Sequence, residues 1–156
     1  MSRRHDSLIP LSHQHQHALA LAVIIKRRFG SENREEAWRE EIREKIRKLY
    51  SAEIKGHFEV EEAVLFPEME RYLGKLELVT DLRREHQALR DLIQLLEKNP
   101  RTPMQSLDEF SASIDRHVRK EERQLFVEFE KRMPAAEAKR VGSEIDARLL
   151  KACPRL

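Results

Sequence analysis

A segment that occurs twice places the strongest constraint on how this chain folds. The first copy, from His57 to Glu70, reads HFEVEEAVLFPEME, and the second copy, from His117 to Glu130, reads HVRKEERQLFVEFE. In both copies a histidine is followed four residues later by two adjacent glutamates and then by a Leu-Phe pair. On an α-helix, side chains four residues apart lie one turn apart on the same face. Each copy therefore presents an imidazole and a carboxylate in the same direction, which is half of a metal site.

The composition favours helices with solvated outer faces and excludes several classes of partner. Charged residues make up 37% of the 156 residues, with only 4 glycines and 6 prolines. The 30 basic and 28 acidic residues nearly balance and are interspersed, which disfavours nucleic acid. The longest apolar run, from Ala18 to Ile25, is too short to span a bilayer, and the first residues do not resemble a signal peptide. Because Cys153 is the only cysteine, no internal disulfide can form, and we expect a cytoplasmic protein.

Apolar residues that recur every three or four positions predict two long helices in the first half of the chain. After a lead-in over residues 1–11, we expect the first helix from His13 to Phe29, with Ser12 as its N-cap. The second helix is predicted from Glu35 to about Phe66. Pro67 should end or kink it, because proline lacks a backbone donor, although a short helical tail through Tyr72 is an alternative.

The second half of the chain predicts two further long helices and a shorter fifth one. The third helix is expected from Leu76 to Glu97 and is stopped by Asn99-Pro100. The fourth should begin with Thr102 as N-cap and Pro103 at its first helical position, and continue to about Met133. Beyond Pro134, apolar residues at helical spacing predict an accessory helix over residues 135–150.

A histidine near the start of the first and third helices extends the repeat. Leu11 and His15 in LSHQH correspond to Leu82 and His86 in LRREH, so each half of the chain is one helical hairpin. Short connections make sequential helices antiparallel, which brings the early histidines and the two His-x-x-x-Glu pairs to the same level. The predicted fold is all-α: an up-and-down antiparallel four-helix bundle over residues 11–133, within one domain of residues 1–156.

Six chemically active side chains then fall in one layer of the bundle core. Buried imidazoles and carboxylates are costly unless they find partners, and two divalent cations resolve that cost. The carboxylates can bridge the two metals while histidines fill terminal positions. Such ligands suit iron, with manganese and zinc as substitutes. The candidate metal ligands are His15, His57, Glu61, His86, His117 and Glu121.

At these residues the chain resembles the hemerythrin-like, HHE cation-binding family. The resemblance covers about Leu11 to Met133 and rests on the doubled His-x-x-x-Glu-Glu-x-x-Leu-Phe and the single histidine early in each preceding helix. It implies a non-haem di-iron centre with a bridging oxygen, held by the six residues above, with Glu61 and Glu121 as bridging carboxylates. It also implies dioxygen, another small diatomic molecule or peroxide as the ligand, for sensing, storage or detoxification. Oxidase or peroxidase-type activity is possible, but we lean towards a binding protein over an enzyme.

Two departures from oxygen-carrying hemerythrins bear on this implied function. Those proteins have a second histidine one turn after the ligand of the third helix, where this chain has Arg90, and an aspartate in place of Glu121. With one imidazole fewer, one metal gains an open position or recruits a replacement, for which Glu53, His13 and His17 are local candidates. An open position favours redox turnover or sensing over reversible oxygen carriage, and Arg90 would add a cation near the metals.

Alternatives remain at the level of the sequence. His13 or His17 could supply the first-helix ligand, although the alignment of Leu11 with Leu82 favours His15. Glu62 and Glu122 fall about 100° round the helix from the first glutamates, which favours solvated or outer positions over coordination. The competing functions are a metal-free helical interaction or histidine phosphotransfer module, and a zinc or manganese variant. The oligomeric state is left open.

Overall fold

The computed structural model describes residues 3–28, 36–99 and 101–153, and this part of the chain forms five helices and no strand. Helix α1 is Ile9–Arg28 and follows a 3₁₀ turn at Asp6–Leu8. Helix α2 covers residues 36–73, α3 is Glu77–Lys98, α4 covers residues 104–132 and α5 is Ala135–Ala152. None of the helices in the described ranges is long and apolar enough to cross a membrane.

Helices α2 and α4 are continuous but contain π-helical turns. Helix α2 has two, at Tyr50–Ile54 and Glu61–Leu65, and α4 has one at Glu121–Leu125. The α-helical segments between them are Glu36–Leu49, Lys55–Val60, Phe66–Leu73, Met104–Lys120 and Phe126–Arg132. The last two π turns occupy equivalent positions in the two copies of the repeat. Turns of this kind are rare and occur mostly at functional sites.

The first four helices form the expected antiparallel bundle. Helix α1 packs along α4, and α3 packs against both α4 and the first part of α2. Helix α5 lies across the outside, against the 3₁₀ turn and the middle of α2. Apolar side chains form two buried clusters, one containing Leu11 and Leu82 and the other containing Ala18 and Leu89. His15 and His86 lie between these pairs in the sequence, so a polar layer separates the two clusters.

The start of the first helix differs from the prediction. Helix α1 begins at Ile9, before the predicted N-cap Ser12, because Pro10 falls in the first turn, where a backbone donor is not needed. The hydroxyl of Ser12 instead donates to the carboxylate of Glu122, at 2.7 Å. Leu8 and Leu11, assigned to a lead-in, are fully buried. The predicted end at Phe29 lies outside the described residues.

The prediction that the second helix ends at Pro67 was wrong. The helix continues to Leu73, as the alternative allowed, and Gly74 ends it with a φ of 81°. The π turn just before Pro67 ends with the amide of Phe66 donating to the carbonyl of Glu61. Proline does not cause this turn, because the second copy has the same π turn with Val127 at the corresponding position.

The predicted start of the second helix at Glu35 and the stop at Pro100 lie outside the described residues, and the remaining boundaries agree with the prediction to within two residues except for one cap. Helix α4 begins at Met104 with Pro103 as its cap residue, so Thr102 is not the N-cap. Its hydroxyl instead donates to the carbonyl of Asn99, at 3.2 Å. The accessory helix is confirmed and runs to Ala152.

We predict that Gly142→Ala destabilises the protein. A Cβ at this position of α5 would lie 2.9 Å from the Cα of Ser7, whose hydroxyl is bonded to the carbonyl of Ala138. Overpacking of this kind costs about 1–3 kcal/mol, which should lower Tm by several degrees in a thermal melt. The control is Ser143→Ala at the exposed neighbouring position, with an expected change within about 0.5 kcal/mol. Equal Tm values for the two variants would contradict close packing of α5 on the 3₁₀ turn.

Candidate metal centre

The six candidate ligands converge in the layer between the two apolar clusters. Each of the four bundle helices contributes at least one, and helices α2 and α4 each contribute a histidine and a glutamate. No member of the set exposes more than 4% of its surface. By helix they are His15 on α1, His57 and Glu61 on α2, His86 on α3, and His117 and Glu121 on α4.

The side chains form two overlapping quartets that can each hold a metal ion. One consists of His15, His57, Glu61 and Glu121, and the other of His86, His117 and the same two glutamates. Within each quartet, one ligand atom from every residue lies within 4.8 Å of the others. The two carboxylates belong to both quartets, which is the arrangement that two bridged metal ions require.

The quartets are related by an approximate twofold symmetry that follows the sequence repeat. The imidazole rings of His15 and His57 have centroids 4.7 Å apart, and those of His86 and His117 are 4.8 Å apart. Each quartet thus contains two imidazoles. We expected one metal to have one histidine fewer than the other. The structure instead divides the four histidines equally, two to each quartet.

The outward nitrogen of every imidazole donates to a fixed acceptor. Nδ1 of His86 donates to Glu62 at 2.7 Å, and Nδ1 of His15 donates to Glu122 at 3.1 Å. A hydrogen on Nδ1 leaves the lone pair on Nε2, the atom that points into the layer. Acceptors of this kind orient histidine ligands in metal sites. The second glutamate of each Glu-Glu pair, Glu62 or Glu122, therefore lies outside the quartets, in the outer position that the sequence predicted.

The other two acceptors were missed by the sequence analysis. Nδ1 of His57 donates to Gln14, and Nδ1 of His117 donates to Glu85, both at 2.8 Å. A signal was present: each acceptor directly precedes the early histidine of its hairpin, so the two correspond in the repeat. One acceptor is a carboxylate and the other an amide, which makes the symmetry chemically inexact.

Burial leaves the inner atoms of this layer without hydrogen bonds. The Nε2 atoms of all four histidines and both carboxylate oxygens of Glu61 and Glu121 are buried and have no hydrogen-bond partner outside the layer, so they contact only one another, as Nε2 of His57 contacts Glu61 at 3.3 Å. Unsatisfied polar groups of this kind are rare in proteins and costly. The donor set of imidazole nitrogen and carboxylate oxygen, aimed at common points, fits divalent metal ions.

Burial and the neighbouring charges shift the pKa values of the carboxylates and imidazoles in this layer. Burial, together with the negative charge of Glu121, raises the pKa of Glu61 well above its usual range. Burial also lowers the pKa of His57, and His15 adds to the effect. Burial opposes protonation of His117 as well, but Glu121 and Glu85 outweigh it and raise its pKa to about 9. Protons on Glu61 and His117 therefore neutralise part of the buried negative charge.

Basic side chains balance the outer carboxylates and do not face the ligands. Arg90, which occupies the position of the missing histidine, bonds to Glu62 at 2.9 Å and lies over the ring of Phe58. Burial raises the pKa of Glu62, but His86 and Arg90 outweigh it and lower the pKa to about 2. The Arg90 cation is thus paired with the outer carboxylate of Glu62 and not with a residue of the quartets.

The proposed replacement ligands also lie outside the quartets. His13 and His17 are exposed, and their rings contact each other edge to face with centroids 5.0 Å apart. Nδ1 of His17 donates to the carboxylate of Glu53 at 2.8 Å. Among the described residues, only the six candidates form groups suited to a metal ion.

Residues 9–129 match the family model of the hemerythrin HHE cation binding domain. The chain belongs to this family. The match spans most of the chain and includes all six residues of the two quartets, and the family binds metal cations. Searches of curated proteins and of solved structures gave no significant match. The hemerythrin-like bundle and its buried histidine and glutamate groups thus identify a candidate cation site.

We predict that the outer acceptor of His86 controls metal affinity. Glu62→Leu removes the acceptor of Nδ1, so the ring loses its fixed orientation, and affinity for ferrous iron should fall about 10–100-fold in a chelator competition. Glu62→Gln keeps an acceptor oxygen on a side chain of the same length, so its affinity for ferrous iron should fall less than that of Glu62→Leu. If the leucine and glutamine variants bind iron equally well, the hydrogen bond does not orient the ligand.

Proposed function

We propose that this chain binds two iron ions at the paired quartets. His15 and His57 would hold one ion, His86 and His117 the other, and Glu61 and Glu121 would bridge them, with an oxygen bridge as the resemblance implies. The observation that carries this proposal is that the Nε2 atoms and the carboxylate oxygens are buried together and have only one another as partners. Manganese and zinc are less favoured occupants of the same atoms.

We propose that the small molecule bound at this centre is dioxygen or a related diatomic or peroxide. Each quartet supplies two imidazoles and two shared carboxylates, so a bound ion would have room for a further ligand. Ferrous iron supplies electrons to such a molecule when both are bound. The chain's own contribution is to exclude water and fix the rings: Phe58 stacks on His86 at 3.9 Å, and Phe126 stacks on His15 at 5.5 Å.

The burial of the quartet histidines favours a metal-binding role in sensing, storage or detoxification over a metal-free role in phosphotransfer. Phosphotransfer needs a histidine nitrogen that a phosphodonor can reach. Each quartet histidine has Nδ1 bonded to an outer acceptor and Nε2 buried, so neither nitrogen is available. We further propose that residues 1–156 form one domain, since the accessory helix packs against the bundle. We also propose that the protein acts in the cytoplasm.

Iron content measured after anaerobic reconstitution with ferrous iron and desalting tests this proposal. We expect about two irons per chain. Glu121→Ala removes a ligand from both quartets and should lose both irons, whereas His57→Ala alters one quartet and should retain more iron. His13→Ala is the matched control, because this exposed histidine lies outside the quartets, and should keep two.

The outcomes separate the alternatives. Wild-type protein that retains no iron after reconstitution would contradict the proposal and favour an interaction module. Two irons in the Glu121→Ala variant would remove this residue from the site. Preferential retention of zinc or manganese in a competition with iron would favour the corresponding variant of the same centre.

A further inference from the structure

A small cavity reaches the centre from one side of the bundle. It has a volume of about 20 Å³ and lies between α1, α2 and α4, against the rings of His15, His57 and His117. This is room for one molecule of about the size of water. Apart from these rings, its walls are mostly apolar and are formed by Ala18, Ile54, Phe58, Ile114 and Val118.

The apolar walls favour neutral occupants. An ion that enters such a space loses its hydration without gaining polar partners, whereas a neutral diatomic molecule has little hydration to lose. Besides the three histidines, the polar side chains that line the cavity are those of Gln14 and Glu53. These two residues also line a much larger open groove of about 740 Å³ on the surface. They therefore stand at the boundary between the cavity and the solvent.

The carboxylate of Glu53 is held at this boundary by a bond from the neighbouring helix. Nδ1 of His17 lies 2.9 Å and 2.8 Å from its two oxygens. The side chain of His17 is 46% exposed and that of Glu53 is 23% exposed, so the pair connects the surface with the interior. Asp146 adds a second carboxylate to the outer groove.

The backbone beneath Glu53 is fixed by the end of α5. The thiol of Cys153 donates to the carbonyl of Glu53 at 3.6 Å. A Cβ at Gly56 would lie 2.7 Å from the same sulfur, so α5 approaches α2 as closely as a glycine permits. The carboxylate is therefore presented from a rigid turn of helix and not from a loop.

We propose that Glu53, held by His17, is a charge-selective gate to the centre: it slows the entry of small anions and leaves the entry of neutral diatomic molecules unaffected. This inference rests on the proposed function, since it specifies which ligands reach the metal pair. The carboxylate repels an anion where the cavity adjoins the surface groove. A neutral molecule experiences no such repulsion and partitions into the apolar cavity.

The test compares an anionic and a neutral probe in iron-reconstituted protein. Stopped-flow absorbance would follow azide binding to the ferric form and nitric oxide binding to the ferrous form. Glu53→Gln removes the charge and keeps the shape of the side chain. Glu59→Gln is the matched control, because it makes the same change at an exposed position of α2 that lines neither space. Iron content is measured first for every variant.

In Glu53→Gln we expect azide association to accelerate about tenfold at low salt, within the range by which local charge alters association rates. Nitric oxide association should change less than twofold, and Glu59→Gln should match wild type for both probes. The wild-type azide rate should also rise with ionic strength, because salt screens the repulsion, and this dependence should flatten in Glu53→Gln.

Four results would overturn the gate. Unchanged azide kinetics in Glu53→Gln would show that the carboxylate does not control entry, and equal acceleration of both probes would show a steric effect instead of a charge effect. Iron loss in Glu53→Gln alone would make Glu53 a ligand. Wild-type protein without iron would refute the proposed function and the gate with it, which the iron measurement distinguishes from a failure of the gate alone.

Discussion

Two carboxylates buried face to face are the interaction on which the rest of this structure depends. Glu61 and Glu121 are fully buried and share a layer with four buried imidazoles. Two negative charges in such a place repel each other strongly and lose their hydration, so neither can remain ionised without compensation. Protons on the neighbouring histidines provide part of this compensation, and metal ions bridged by both carboxylates would provide all of it.

The bundle surrounds this layer with a symmetrical support that comes from the repeat. Each inner glutamate is followed by an outer one that accepts from a histidine of the other hairpin: Glu62 from His86 and Glu122 from His15. The two hairpins are therefore locked to each other through the groups that would bind the metal. Arg4 and Arg90 neutralise these outer carboxylates from the solvent side. The contact between the hairpins and the proposed binding of metal would thus depend on the same hydrogen bonds.

The sequence was sufficient for the features that depend on helical periodicity. The all-α fold and the fifth helix follow from spacing, the convergence of the six residues follows from antiparallel pairing, and the family follows from the resemblance of the doubled motif to a known one. Helix starts were less predictable, because Ser12 and Thr102 have the chemistry of caps but use their hydroxyls elsewhere. The π turns at Glu61 and Glu121 have no local sequence signal, since one copy has Pro67 after the turn and the other Val127. Gln14 and Glu85 correspond in the repeat, but the sequence alone does not show which rings they orient, because each bonds to a histidine of the next helix along the chain.

Metal-edge X-ray absorption on the iron-reconstituted protein tests the central claim most directly. A pair of ions bridged by Glu61 and Glu121 predicts a metal–metal distance of about 3.5–4 Å, typical of two-metal sites, with only nitrogen and oxygen in the first coordination shell. Imidazole scattering should correspond to two histidines per iron. A spectrum without metal–metal scattering, or with sulfur from Cys153 in the first shell, would contradict a bridged pair held by these six residues.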